Sequence, residues 1–250
     1  MITIKSAREI DIMARAGRIV AGVHALMRER IRPGVTTEEL DAAAESFIRQ
    51  HPGATPSFKG LYGFPKTLCV SIDEEIVHGI PSRKRELEAG SIVSVDVGVQ
   101  LEGLHADAAT TIPVGAITPE AQRLLDVTEA CLAAGVAQAR VGNHVGDIGH
   151  AVQKVAEAAG FGVVRELVGH GIGTRFHEEP QVPNYGSPKR GPRLLEGMTL
   201  AIEPMITLGA PATRTLGDKW TVVTADGSLA AHFEHTIAVT ANGPRILTKA

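Results

Sequence analysis

GSIVSVDVGV, residues 90–99, and GMTLAIEPMI, residues 197–206, follow one pattern 107 residues apart, and that pattern decides the fold. Each opens on a glycine, runs through mostly apolar residues and carries one acid at the same place, Asp96 in the first and Glu203 in the second. A second pair of segments lies at nearly the same spacing. RPGVTTEELDAAAESFIRQ (32–50) matches RVGNHVGDIGHAVQKVAEA (140–158) at an offset of 108. Two matches at one spacing indicate a duplicated unit of two helices and a sheet, in halves of about 1–115 and 116–250 within a single domain of residues 1–250. A chance similarity between two α+β halves is the alternative. The period is too long for a solenoid. A twofold relation between the halves sets Asp96 opposite Glu203 at the centre.

The flanking segments read as helices. Ser6 and Glu9 form a capping box, followed at helical spacing by Ile10, Met13, Gly17, Val20, His24 and Met27, and Pro33-Gly34 ends that run. Thr36 and Glu39 cap a second helix reaching about Gln50. In the second half, Thr118-Pro119 opens a helix to about Arg140, and Gly160 closes the next one.

Between the helices, strand alternation sorts the acids. In residues 92–100, Val93, Val95, Val97 and Val99 share one apolar face, while Ser94, Asp96 and Gly98 share a small, open one. Glu102-Gly103 reads as a turn, and 106–112 as the returning strand, with Asp107, Ala109 and Thr111 on one face. A loop with an even number of residues puts Asp96 and Asp107 side by side. In the other half, Glu203 shares a face with Ala201, and Glu234 with Thr236 and Ala238. For any one acid, a solvated sheet face is the simpler reading. Four acids gathered in one cavity would repel and neutralise unless a cation offsets them. Oxygen-rich sites with an imidazole suit divalent metals, and bridging carboxylates suit two of them.

The imidazole comes from VGHGIGTRFHEEPQVP, residues 168–183. Glycines 169, 171 and 173 are read as allowing close backbone approach to the site, with His170 reaching the metals and His177 placed for catalytic work. GHGIGT is not a dinucleotide fingerprint, because Thr174 replaces the last glycine and Pro180 and Pro183 prevent a long following helix. HEEPQ is not a zinc-protease helix, since Gln181 stands where the second histidine belongs.

Composition bounds the rest. The chain has 44% hydrophobic and 21% charged residues and a net charge of −3, which disfavours nucleic acid and anionic membrane as partners. Arg83-Lys84-Arg85 is read as a solvated turn beside Glu86 and Glu88. Two cysteines, Cys69 and Cys131, make no disulfide framework, and the N-terminal residues hold no apolar stretch long enough for a signal peptide or membrane span. A cytoplasmic protein is expected.

Five segments together resemble the type I methionine aminopeptidases: TLCVSIDEEIVHGIP (67–81), SVDVGVQLEGLHADAATT (94–111), VGHGIGTRFHEEPQVPNYG (168–186), LEGMTLAIEPM (195–205) and WTVVTADGSLAAHFEHTIAVT (220–240). The resemblance covers essentially the whole chain. It implies the α+β pita-bread fold, with pseudo-twofold halves around a central curved antiparallel sheet. It implies Asp96, Asp107, His170, Glu203 and Glu234 as ligands to two divalent ions (Fe²⁺, Mn²⁺, Co²⁺ or Zn²⁺). Catalytic roles fall on His78, His177 and Glu203. Metal-activated hydroxide would attack the carbonyl after an N-terminal methionine, with Glu203 as general base and His177 stabilising the oxyanion. The methionine pocket would be formed by Phe58, Leu61, Phe64, Cys69, His78, Phe176, His177 and Trp220, a set that departs from the Tyr and Cys of the usual bacterial pattern. Implied substrates are peptides and nascent chains with a small second residue. A monomer is expected, with the ribosome as a candidate neighbour. His24, His51, His105, His144, His150, His232 and His235 are read as structural or surface residues.

Two other readings stand beside this one. A metal-free pita-bread module that only binds peptides would lack part of the ligand set. Proline-specific relatives carry a further N-terminal domain, for which this chain has no room. Type II enzymes carry a helical insertion between the positions of Glu203 and Glu234, here only 31 residues apart.

Overall fold

The computed structural model describes residues 2–249; Met1 and Ala250, the outer limits of the expected unit, lie outside the described residues. Four helices form among the described residues, in two pairs: α1 (Ala7–Arg30) and α2 (Thr37–Arg49), then α3 (Pro119–Gln138) and α4 (Val145–Ala158). Their starts follow the capping chemistry. Ser6 and Thr36 accept hydrogen bonds from the main-chain N–H of Glu9 and Glu39, whose carboxylates accept in return from the cap N–H groups. Thr118 accepts from the Ala121 N–H ahead of Pro119. No helix among the described residues is long and apolar enough to cross a membrane.

Helix α1 lies against the first sheet. Met13, Ala16, Val20, Val23 and Met27 recur at three- and four-residue steps and are fully buried, in one core cluster with Val93, Val95, Val97 and Val99. One face of strand Ile92–Leu101 is thereby used for packing, which leaves Ser94, Asp96 and Gly98 on the other. That strand joins Leu104–Pro113 through Glu102 and Gly103, at φ +50° and +80°. Two left-handed residues in a two-residue loop match the strand twist. The even loop sets the register at Asp96↔Ala109 and Gly98↔Asp107, so Asp96 and Asp107 are diagonal neighbours on one face.

The second half repeats the order of two helices and strands, with one difference. Asp96 sits in mid-strand, but Glu203 does not. The matching segment is interrupted at Glu203-Pro204, giving strands Thr199–Ile202 and Met205–Thr207. Pro204 has no N–H to continue a ladder. The first of these pairs with His235–Thr240 as far as His235↔Ile202, so Glu203 and Glu234 stand one step beyond the last rung.

The two halves meet along a seam. The Glu234 N–H donates to the Ala109 carbonyl at 2.9 Å. Asp107 N–H donates to Thr236 Oγ1 at 2.9 Å, and that hydroxyl donates back to the Asp107 carbonyl at 2.8 Å. Thr111 Oγ1 serves His232 in the same way, accepting from its N–H at 3.0 Å and donating to its carbonyl at 2.9 Å. The pairs 107/236, 109/234 and 111/232 keep antiparallel register, with threonine hydroxyls replacing main-chain partners at alternate rungs. Exchanging Asp107 with Glu234 and Ala109 with Thr236 maps one rung onto its neighbour, and this local twofold relation brings the two acids together.

Thr236→Val keeps the shape and leaves the Asp107 N–H and carbonyl without partners. Urea unfolding is expected to show a loss of about 1–3 kcal/mol, the cost of unmade buried hydrogen bonds. A loss below about 0.5 kcal/mol would show that the hydroxyl does not hold the seam.

Candidate metal centre

The open faces of both halves line one cavity of about 200 Å³. All five expected ligands border it: Asp96, Asp107, His170, Glu203 and Glu234. Three of them converge most closely, with one ligand atom each of Asp107, His170 and Glu234 lying within 4.8 Å of one another. Asp96 lies beside Asp107, and Glu203 Oε1 is 3.6 Å from His170 Nε2. Asp107 and Glu234 are 3% and 2% exposed, whereas Asp96 and Glu203 open onto the cavity from deep in the protein.

His170 is prepared as a ligand. It lies on strand Gly169–Gly171, paired with Ala201 on one side and Gln181 on the other, and a register shift follows at Gly171↔Glu178. Its Nδ1–H donates to the Gly171 carbonyl at 2.8 Å, which leaves the Nε2 lone pair facing the acids. Burial, and then the neighbouring His177, lower its pKa to about 4, so the ring is neutral. At 3.6 Å, neutral His170 and Glu203 are neighbours, not an ion pair.

The acids show the opposite strain. Burial raises the pKa of Asp96. Burial, then the charges of Glu234 and Asp96, raise that of Asp107 well above the usual range. Glu203 is raised by burial and then by Asp107 and Asp96, and Glu234 by burial and then by Glu203 and Asp96. Asp96 Oδ1, Asp107 Oδ1 and Glu234 Oε1 are buried with no hydrogen-bond partner. Buried carboxylate oxygens are rarely left so. Hard oxygen donors with one neutral imidazole, mutually repelling and unsatisfied, fit divalent cations.

The rest of the cavity is mostly apolar. Phe58, Leu61, Phe64, Cys69, Phe176 and Trp220 line it, as do His78 and His177, so every expected pocket residue is present in the wall. Phe58 meets Phe176 edge-on at 5.3 Å, and Phe64 meets Trp220 edge-on at 5.1 Å. His177 rests edge-on to His170 at 4.4 Å. His78 is held at φ +61°, a left-handed conformation rare for a residue with a side chain and one that clusters at functional sites. The volume lies below the roughly 300–1,000 Å³ of clefts for drug-sized ligands, and suits one side chain.

Gly98 explains the small face of its strand. A Cβ there would lie 2.8 Å from Phe176 Cε2 and 3.0 Å from Phe58 Cε1. Gly98→Ala is expected to force these rings to shift and to cost about 1–3 kcal/mol of stability in urea unfolding, the scale of overpacking. A loss below about 0.5 kcal/mol would contradict that.

Two expectations need correction. Glycines 169 and 171 do not bring backbone to the cavity: a Cβ at Gly169 would meet the Ala201 carbonyl at 2.4 Å, and one at Gly171 the Glu179 carbonyl at 2.2 Å. Their freedom serves close strand packing. His232, read as structural or surface, lines the cavity at 1% exposure. Its Nε2 is 3.8 Å from Glu203 and 4.0 Å from Glu234, and neither ring nitrogen has a partner. A period of two from Glu234 would have flagged it. Tyr62 was missed as well. It borders the cavity, stacks on His177 at 5.7 Å and carries φ +52°.

A carboxylate–imidazole cluster fit for divalent cations, beside a one-side-chain pocket at the seam of a duplicated α+β fold, is the equipment of a metal-dependent hydrolase. The chain matches metallopeptidase family M24 over residues 11–241 and belongs to that family, whose members depend on divalent metal. It is 53% identical to the methionine aminopeptidase of Clostridium perfringens, over 99% of each chain. The crystal structure of methionine aminopeptidase from Thermotoga maritima superposes with a TM-score of 0.98 at 43% identity, over 100% of both chains. The prolidase of Pyrococcus horikoshii shares the fold at a TM-score of 0.78 and 24% identity, with the match covering 99% of this chain and 63% of the prolidase. The architecture is thus the pita-bread fold, as the resemblance implied.

Proposed function

We propose that this chain is an aminopeptidase that removes the N-terminal methionine from peptides and nascent proteins with a small second residue. The observation that carries this reading is the junction of a carboxylate–imidazole cluster with an apolar pocket for one side chain. The full-length likeness to methionine aminopeptidases supports it, while the likeness to prolidase extends to the fold alone. The complete set of five ligands argues against a binding module without metal.

Asp96, Asp107, His170, Glu203 and Glu234 would hold two ions, drawn from Fe²⁺, Mn²⁺, Co²⁺ or Zn²⁺. Divalent cations there supply Lewis acidity and make a water acidic enough to act as nucleophile near neutral pH. The chain's own residues do the rest. Phe58, Leu61, Phe64, Cys69, Phe176 and Trp220 enclose the methionine side chain, with aromatic rings and a thiol suited to its sulfur. Acids on the cavity floor receive the free α-amine, which limits cleavage to one residue. Glu203 takes the proton of the attacking water at its carboxylate and passes it to the leaving nitrogen. His177 donates to the developing oxyanion, and His78 hydrogen-bonds the scissile amide. The chain acts as a single-domain monomer in the cytoplasm, on substrates that emerge from the ribosome.

Release of methionine from Met-Ala-Ser tests this reading, with a chelator and Asp96→Ala as controls. Cleavage by the metal-loaded protein that both controls abolish is expected. A metal-loaded protein that binds the peptide without cleaving it would overturn it.

A further inference from the structure

Beneath the loop that carries His177 lies a buried ion pair with no part in the chemistry above. Phe176 and His177 line the cavity, and at the next residue, where the strand Glu178–Val182 begins, the side chain of Glu178 is buried away from it. Glu178 Oε2 accepts from Lys5 Nζ at 2.6 Å, and both side chains are at least 95% buried. Thr3 Oγ1 donates to the same oxygen, and Lys5 Nζ also reaches Thr3 Oγ1. The other oxygen, Oε1, accepts from the Arg175 N–H at 3.1 Å and from Thr174 Oγ1 at 3.3 Å. The carboxylate thus gathers the 173–178 loop on one oxygen and the N-terminal segment on the other.

The sequence is shaped around this contact. A Cβ on Gly173 would stand 2.3 Å from Lys5 Cε and 2.8 Å from Glu178 Oε1, so any larger residue there would displace the end of the lysine. The Lys5 N–H donates to the Gly197 carbonyl at 2.8 Å, fixing the segment just before Ser6 caps α1. Buried ion pairs contribute little net stability against apolar replacements of similar volume, and in some proteins they are kept for the geometry they specify. The geometry secured here is that of Phe176 and His177. Phe176 packs on Phe58 at 5.3 Å and His170 at 5.5 Å, and His177 on His170 at 4.4 Å.

We infer that the Lys5–Glu178 ion pair, with Thr3, is a positioning device that holds His177 in its working place. This rests on the proposed methionine aminopeptidase reading. Lys5 and Glu178 touch no reacting atom and act through His177.

The test is a double-mutant cycle on the metal-loaded full chain, read as kcat and KM for Met-Ala-Ser. Lys5→Met should lower kcat roughly tenfold or more and leave KM within about threefold, the scale of coupled neighbours. In the His177→Ala background, whose expected loss of about 10²–10³-fold leaves a measurable rate, the same substitution should cost less than about twofold. Wild-type kcat in Lys5→Met, or an equal loss in both backgrounds, would overturn the inference, the second by showing a general structural effect. Should Lys5→Met fail to fold, Thr3→Val removes one hydroxyl from the network. It should show a smaller loss, about threefold, with the same dependence on His177, and an unchanged kcat or equal losses there would refute the inference too. A wild-type protein that releases no methionine in this assay marks the failure of the functional reading instead.

Discussion

Glu203→Ala is expected to lower kcat for Met-Ala-Ser by about ten-thousandfold or more, because on the proposed mechanism it would remove a metal ligand and the general base together. The residue combines features a proton carrier needs. It is open to the cavity, it stands at the strand interruption before Pro204, and it lies 3.6 Å from His170 Nε2. Asn184 Nδ2–H donates to its main-chain carbonyl at 3.0 Å and fixes the backbone there. Burial, then the charges of Asp107 and Asp96, raise its pKa, which a nearby cation would counter. Glu203→Gln separates the two roles, since an amide oxygen still ligates but takes no proton. Loss of turnover with retained metal binding is expected in that variant. A tenth of wild-type turnover in either variant would contradict the assignment.

His177→Ala is expected to lower kcat about 10²–10³-fold, the scale for one oxyanion donor. Burial lowers the pKa of His177, so the ring is neutral near pH 7 and donates through one nitrogen. The Tyr62 hydroxyl lies within hydrogen-bond reach of Nδ1, at 3.3 Å, and the two rings stack with centroids 5.7 Å apart. Metal affinity should not change, because His177 lies outside the ligand set. An unchanged kcat with a raised KM would make it a binding residue.

Much of this site is legible in the linear sequence because strands alternate. Once Glu102-Gly103 is a two-residue turn, Asp96 and Asp107 must share a face, and the valines between them name the other face. The duplication then leads to Glu203, and the same alternation in the second half to Glu234. His78 and the pocket aromatics are a different matter, and only the resemblance pointed to them. His78 depends on a left-handed backbone that no side-chain pattern announces. Tyr62, at φ +52° between Gly60 at +92° and Gly63 at +90°, was hidden for the same reason. The Lys5–Glu178 pair joins residues far apart in the chain, and no local rule links them. The glycines of 168–183 signalled close approach correctly but not what was approached, because strand packing and ligand contact ask the same of a backbone.

Everything rests on cations bound at the seam between the halves. The most direct measurement is anomalous diffraction from crystals grown with Mn²⁺, from a preparation whose activity is recorded. An anomalous peak bonded to Asp107, His170 and Glu234 is the expected result. Fully active crystals whose only manganese peaks lie away from those three side chains would contradict it.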